Sequence, residues 1–181
     1  VSRLIYDCNR PPEAPDAMPA QSEVFAIPGN ADLSDADRAA RIATYYAPFR
    51  DALSDTIAKL SNPVIVTLHS FTPIYHGQSR AVEIGVLHDR DSRMADAMLD
   101  TAGAHTDALV LRNAPYGPEH GVTHTLREHA IAQGHMNVML EIRNDLIRTP
   151  DEQTAVADMI ANWIADAFAR TQAQGAVTCG A

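Results

Sequence analysis

The chain has 181 residues and is 46% hydrophobic, enough to bury a sizeable core, and its length fits one domain better than two small ones. Its formal charge of -9 at pH 7 repels nucleic acid and leaves no basic stripe for phosphates, which excludes that partner class. No apolar run reaches the roughly 20 residues of a membrane helix, and the opening "VSRLIYDCNR" has no apolar core of a signal peptide, so the cytoplasm is the expected compartment.

Ser2 to Asp7, "SRLIYD", alternates loosely and reads as a strand. Cys8 and Cys179 are far apart and form no CxxC pair, so both are expected as reduced thiols. Pro11 to Asn30 is rich in proline and weakly periodic, which reads as an ordered surface loop. Ser34 with Asp35 and Asp37 resembles an N-cap and an acidic first turn, opening a helix towards Leu60 with a kink or break at Pro48. Val64 to Leu68 is a continuous apolar run, expected as a strand covered on both faces.

Beyond it, Ala81 to Leu87 predicts a strand, Ser92 to Ala102 a helix, Asp107 to Arg112 a short strand, Thr123 to Gln133 a helix, and Asn137 to Arg143 a strand. Thr149, Pro150 and Glu152 supply an N-cap, an N1 proline and a capping-box glutamate for the last helix. Its stripe of Val156, Met159, Ile160, Trp163, Ile164, Ala167 and Phe168 has helical spacing and reads as core. Strands alternating with helices predict an α/β fold with a mixed, largely parallel sheet flanked by helices. In such sheets ligands collect beyond the carboxyl ends of strands, where "DCNR", "LHS" and "EIRND" would emerge.

Glu141 and Arg143 share a strand face, so the carboxylate is either paired with that arginine or faces a polar cleft. Arg10, held before Pro11 and Pro12, suits bidentate capture of a carboxylate, the alternative being a salt bridge to Asp7 or Asp16. His69 at a strand end is either a hydrogen-bonded structural residue or a metal ligand. Ser70 beside it has no G-x-S-x-G elbow, which argues against a serine hydrolase. His120 and His124 stand at i, i+4, but Gly121 follows the first and no HExxH is present, so they read as loop or surface histidines.

The order "SRLIYDCNRP", "HSFTPIYHGQSR", "APYG", "EIRNDLI" resembles the N-formylglutamate amidohydrolase family over most of the chain and, more distantly, the zinc carboxypeptidases with their phosphorylase/hydrolase-like fold. The resemblance implies His69 as a zinc ligand, Asn9 and Arg10 as a substrate clamp, Glu141 as general base and Tyr116 as a substrate-facing tyrosine. Arg80 and Arg143 are further candidates for a second substrate carboxylate, by chemistry and position. The implied reaction is zinc-dependent hydrolysis of a small acidic N-acyl amino acid, N-formylglutamate giving formate and glutamate, with no obligate protein partner. The family's first metal-binding segment, a His with an acidic partner, has no counterpart in the sequence before "SRLIYD". The expectation is a single hydrolytic domain lacking an N-terminal portion that carries the remaining ligands. The competing reading is a non-catalytic carboxylate-binding relative with an incomplete metal site.

Overall fold

A computed structural model describes the backbone of residues 2–178 and the side chains of residues 2–173; Cys179 lies outside the described residues. The expected strand at Ser2 to Asp7 is instead a turn. The Ser2 carbonyl accepts from the amides of Ile5 (2.9 Å) and Tyr6 (3.3 Å), so these groups are satisfied locally and need no ladder partner. Leu4 and Ile5 face solvent, whereas Tyr6 is buried with Ala17, Met18 and Tyr46.

The loop from Pro11 to Asn30 is ordered and holds a small hairpin, β1 (Gln21–Ser22) with β2 (Phe25–Ala26). Buried Asn30 fixes it: its amide nitrogen donates to the carbonyls of Leu4 and Pro19, both at 2.9 Å, and its oxygen accepts from Arg41 at 2.6 Å. Asn30→Ala leaves those groups without their partner and is expected to destabilise the protein by about 2 kcal/mol. Limited proteolysis should then cut within residues 11–30 faster than in the unsubstituted protein.

Helix α1 (Asp35–Arg41) begins with the expected capping box, Ser34 accepting from the Asp37 amide and Asp37 from that of Ser34. The anticipated break at Pro48 takes the form of a π-turn, Ile42–Tyr46, before α2 (Ala47–Ile57). Pro48 has no N–H to donate, and the Ala47 amide reaches back to the Ile42 carbonyl, one residue further than an α-helix requires.

The main sheet begins with β3 (Ile65–Phe71). A second hairpin, β4 (Ile74–Tyr75) and β5 (Gln78–Ser79), turns through His76 and Gly77, both at positive φ (48° and 73°) as a tight two-residue loop requires. Strand β6 (Ile84–Leu87) is shorter than expected because the carbonyls of Ala81 and Val82 accept from the Arg143 guanidinium instead of a ladder. Then come α3 (Arg93–Thr101), β7 (Val110–Arg112), α4 (His124–His129) with a 3-10 turn at Ile131–Gln133, β8 (Asn137–Arg143) and α5 (Pro150–Thr178).

The sheet order is β3-β8-β6-β7; β3 with β8 and β6 with β7 are parallel, and β6 with β8 is antiparallel. The fold is therefore mixed α/β with a largely parallel sheet flanked by helices. β3 is an edge strand and Leu68 is 58% exposed, so the expectation that both faces are covered is wrong. An apolar run tells how β-prone a segment is, not where it sits in the sheet order.

On β8 the alternation sorts core from site. Val138, Leu140 and Ile142 pack under α3 and α5 with Met94, Met98 and Trp163, whose indole donates to the Met98 carbonyl at 2.8 Å. Met139 packs on the opposite side with Leu126 of α4, and Glu141 follows it on that side. Helix α5 carries the predicted cap and stripe except at Phe168, which is 38% exposed.

Candidate active site

The parallel register pairs His69 with Glu141 at the carboxyl ends of β3 and β8, and the antiparallel register sets Gly85 on Glu141's other side. Both side chains line a cavity of about 420 Å³ with Asn9, Arg10 and Tyr116. Five of the seven residues singled out from the sequence therefore meet there. Arg80 stands behind the wall, against Tyr75 and Tyr116.

Arg143 is elsewhere engaged. It donates to Asp145 at 2.7 Å, to Glu83 at 3.1 Å and to the carbonyls of Arg80 and Ala81, both at 3.2 Å. This corrects the reading of Arg143 as free to meet a substrate carboxylate or to pair with Glu141. It ends β8, and two acidic groups in adjoining turns compete for its guanidinium.

Glu141 is 4% exposed, and its Oε2 has no hydrogen-bond partner among the described residues. Burial pushes its pKa up to about 7, against the pull of Arg3, Arg80 and Arg10. Burial also lowers the pKa of His69, with Asp7 opposing, so its imidazole is neutral near pH 7. A carboxyl that loses its proton near neutrality beside a neutral imidazole suits proton transfer to and from water.

Asn9 and Arg10, the clamp that the resemblance implies, are both tied into the protein. Asn9 donates to the Val122 carbonyl at 2.5 Å and accepts from the amide and hydroxyl of Thr125 at 3.0 and 2.7 Å. These contacts fix the turn that carries Arg10. The Arg10 Nε reaches Asp16 at 2.6 Å, one of the two salt-bridge partners weighed from the sequence, and Nη1 donates to the Asn9 carbonyl at 3.0 Å. Among the described residues its Nη2 makes no hydrogen bond.

Sequence reasoning missed several wall residues. Asp7 accepts from Arg3 (2.8 Å) and from the Asn9 amide (3.0 Å), and the Asp-x-Asn spacing was the available signal for that turn. His120, read as a loop histidine, lines the cavity and accepts from the Gly117 amide at 3.0 Å. Glu23 of the first hairpin accepts from the His76 amide of the second at 2.7 Å, joining two hairpins whose residues line the cavity; nothing local in the sequence signals that contact.

His69 could hold a metal, but among the described residues no three His, Cys, Asp or Glu side chains converge as a metal-binding group. A zinc site with open water position takes three protein ligands, so these residues alone do not fit one. Among the described residues no helix is long and apolar enough to cross a membrane.

The family model for N-formylglutamate amidohydrolase matches residues 1–148. The crystal structure of gene product Atu2144 from Agrobacterium tumefaciens is 54% identical, with a TM-score of 0.92 over 94% of this chain and 69% of that one. No curated protein matches.

Proposed function

The chain belongs to the N-formylglutamate amidohydrolase family, and from that premise we propose that it hydrolyses a small acidic N-acyl amino acid, N-formylglutamate by family resemblance, to formate and glutamate. The observation that carries the reading is the buried, unpartnered Glu141 carboxyl, poised near pH 7 beside His69 on a cavity that also holds Arg10. Glu141 takes a proton from water as the oxygen attacks the formyl carbon, then delivers it to the leaving nitrogen as the C–N bond breaks. Arg10 holds a substrate carboxylate, overcoming locally a net charge that repels anions.

Zinc belongs to the proposal by resemblance alone, with His69 as one ligand and the others outside the described constellation. No step above is routed through it. The second reading, a carboxylate-binding relative without turnover, is favoured by one observation, the lack of three converging donors among the described residues.

Enzymatic assay of formate and glutamate released from N-formyl-L-glutamate tests the proposal. Equimolar release is expected, and its absence with zinc supplied favours the binding relative. Release that survives exhaustive chelation, with zinc below one per chain by plasma mass spectrometry, removes the metal and leaves Glu141.

A further inference from the structure

Helix α4 starts without help from its own cap residue: Thr123 offers the first amides no side-chain bond and donates its hydroxyl to Asp89 at 2.7 Å instead. The acceptor comes from a residue 116 positions away. The Asn9 Oδ1 takes the Thr125 amide at 3.0 Å and the Thr125 hydroxyl at 2.7 Å. We propose that Thr125 is a positioning residue for Arg10, acting through the Asn9 carboxamide, and that it sets the affinity of the cavity for a carboxylate ligand. The inference rests on the reading of Arg10 as the group that holds a substrate carboxylate, and adds the residue that aims it.

A carboxamide has two acceptor and two donor positions. In Asn9 both acceptor positions are filled by Thr125, and one donor goes to the Val122 carbonyl. Two donors on Oδ1 also exclude the flipped carboxamide, which would set an NH2 group against the Thr125 amide. The backbone of the turn is held as well: the Asn9 amide donates to Asp7 at 3.0 Å, and the Asn9 carbonyl accepts from the Arg10 Nη1 at 3.0 Å. The same Nη1 makes a longer bond, 3.4 Å, to the Gly121 carbonyl in the segment that leads into α4. The Arg10 guanidinium is thus fixed by the turn that Thr125 holds, by that segment and, at Nε, by Asp16.

Helix α4 can serve as the anchor because its other side chains are pinned. Arg127 shares Asp89 with Thr123, His124 meets the Tyr46 hydroxyl at 2.8 Å, and His129 meets that of Ser54 at 3.2 Å. Leu126 packs with Met139 of β8, the strand that carries Glu141. Asn9 therefore ties Arg10 to the helix that rests on the strand of the proposed base. Thr125 is only 7% exposed, so solvent does not make good the loss of its hydroxyl.

Thr125→Val keeps the branched shape and the backbone amide and removes the hydroxyl, whereas Thr125→Ser keeps the hydroxyl. N-acetyl-L-glutamate is titrated calorimetrically into the unsubstituted protein and both variants, at a temperature where circular dichroism shows all three folded. Thr125→Val should bind about 5- to 20-fold more weakly, the worth of one hydrogen bond, and Thr125→Ser within about threefold of the unsubstituted protein. With N-formyl-L-glutamate the loss in Thr125→Val should fall on KM, with kcat within about twofold, because Glu141 is held by β8 and not by this turn. Unchanged affinity in Thr125→Val, equal weakening in the two variants, a fall in kcat at constant KM, or no binding by the unsubstituted protein overturns the proposal. Failure of the amide-hydrolysis reading appears separately, as binding without formate release, and the calorimetric comparison then decides the proposal alone.

Discussion

Glu141→Gln should lower kcat by about 100- to 10,000-fold, the usual contribution of a positioned general base, and should at the same time stabilise the fold above pH 7. The two effects have one cause. An ordinary glutamate ionises near 4.5, whereas Glu141, buried with an unpartnered oxygen, holds its proton to about 7. Below pH 4.5 the carboxyl is protonated in folded and unfolded chains alike, and its ionisation costs nothing. Between 4.5 and 7 the unfolded chain ionises first, so folding stability falls as pH rises. Above 7 the loss levels off at roughly 3 kcal/mol, the shift taken at about 1.4 kcal/mol per unit.

A glutamine at 141 carries no charge to desolvate. Its amide nitrogen would lack a partner, but that cost does not vary with pH, so the informative quantity is the difference in unfolding free energy between pH 4 and pH 8. Urea denaturation should show Glu141→Gln gaining on the unsubstituted protein across that interval. For the unsubstituted enzyme, kcat/KM should rise with pH and level off above about 7, as the free base requires. Parallel stability profiles for the two proteins would show that Glu141 ionises like a surface carboxylate and remove the basis of its role.

Much of the fold was legible because its determinants are local. The α5 cap needs only Thr149, Pro150 and Glu152, and the kink at Pro48 follows from one missing N–H. The limits of β8 were readable from alternation that truly sorts core from cavity. What failed depends on partners distant in sequence. Ser2 to Asp7 carries strand-like residues, yet the Ile5 and Tyr6 amides turn back to the Ser2 carbonyl and that of Asp7 reaches the Ala17 carbonyl; the apolar β3 run lies at an edge because sheet order is a tertiary property.

The site divides in the same way. His69 and Glu141 were each visible at a strand end, but their adjacency comes from the β3-β8 register, which neither segment encodes alone. Strand spacing placed Arg143 beside Glu141 and could not reveal Glu83, 60 residues earlier, as its partner. The rings packed around the Arg80 guanidinium come from two segments: Phe71 and Tyr75 are near neighbours in the sequence, whereas Tyr116 lies 36 residues further on.

Gly85→Ala is the substitution expected to damage fold and site together. Gly85 lies on β6 opposite Glu141, and a Cβ there would overlap the Ala114 carbonyl oxygen and approach Leu87 Cδ1 to 2.8 Å. The leucine could swing aside, but the carbonyl is main chain in a segment tied to β6, with the Asn113 amide donating to the Val86 carbonyl at 3.0 Å and the Asn113 side chain accepting from the His88 amide at 2.9 Å. Either those bonds yield or β6 moves away from Glu141. Overpacking against backbone should cost about 3 kcal/mol. Because Tyr116 follows two residues after Ala114 and flanks both the cavity and Arg80, kcat/KM for the acidic substrate should fall in the protein that remains folded. Gly103→Ala is the control, since a Cβ there meets nothing within 4 Å; its melting temperature should match the unsubstituted protein while that of Gly85→Ala drops by several degrees. Equal melting temperatures for the two variants would mean that the Ala114 carbonyl does not rest on β6, and that another contact holds Tyr116 at the cavity.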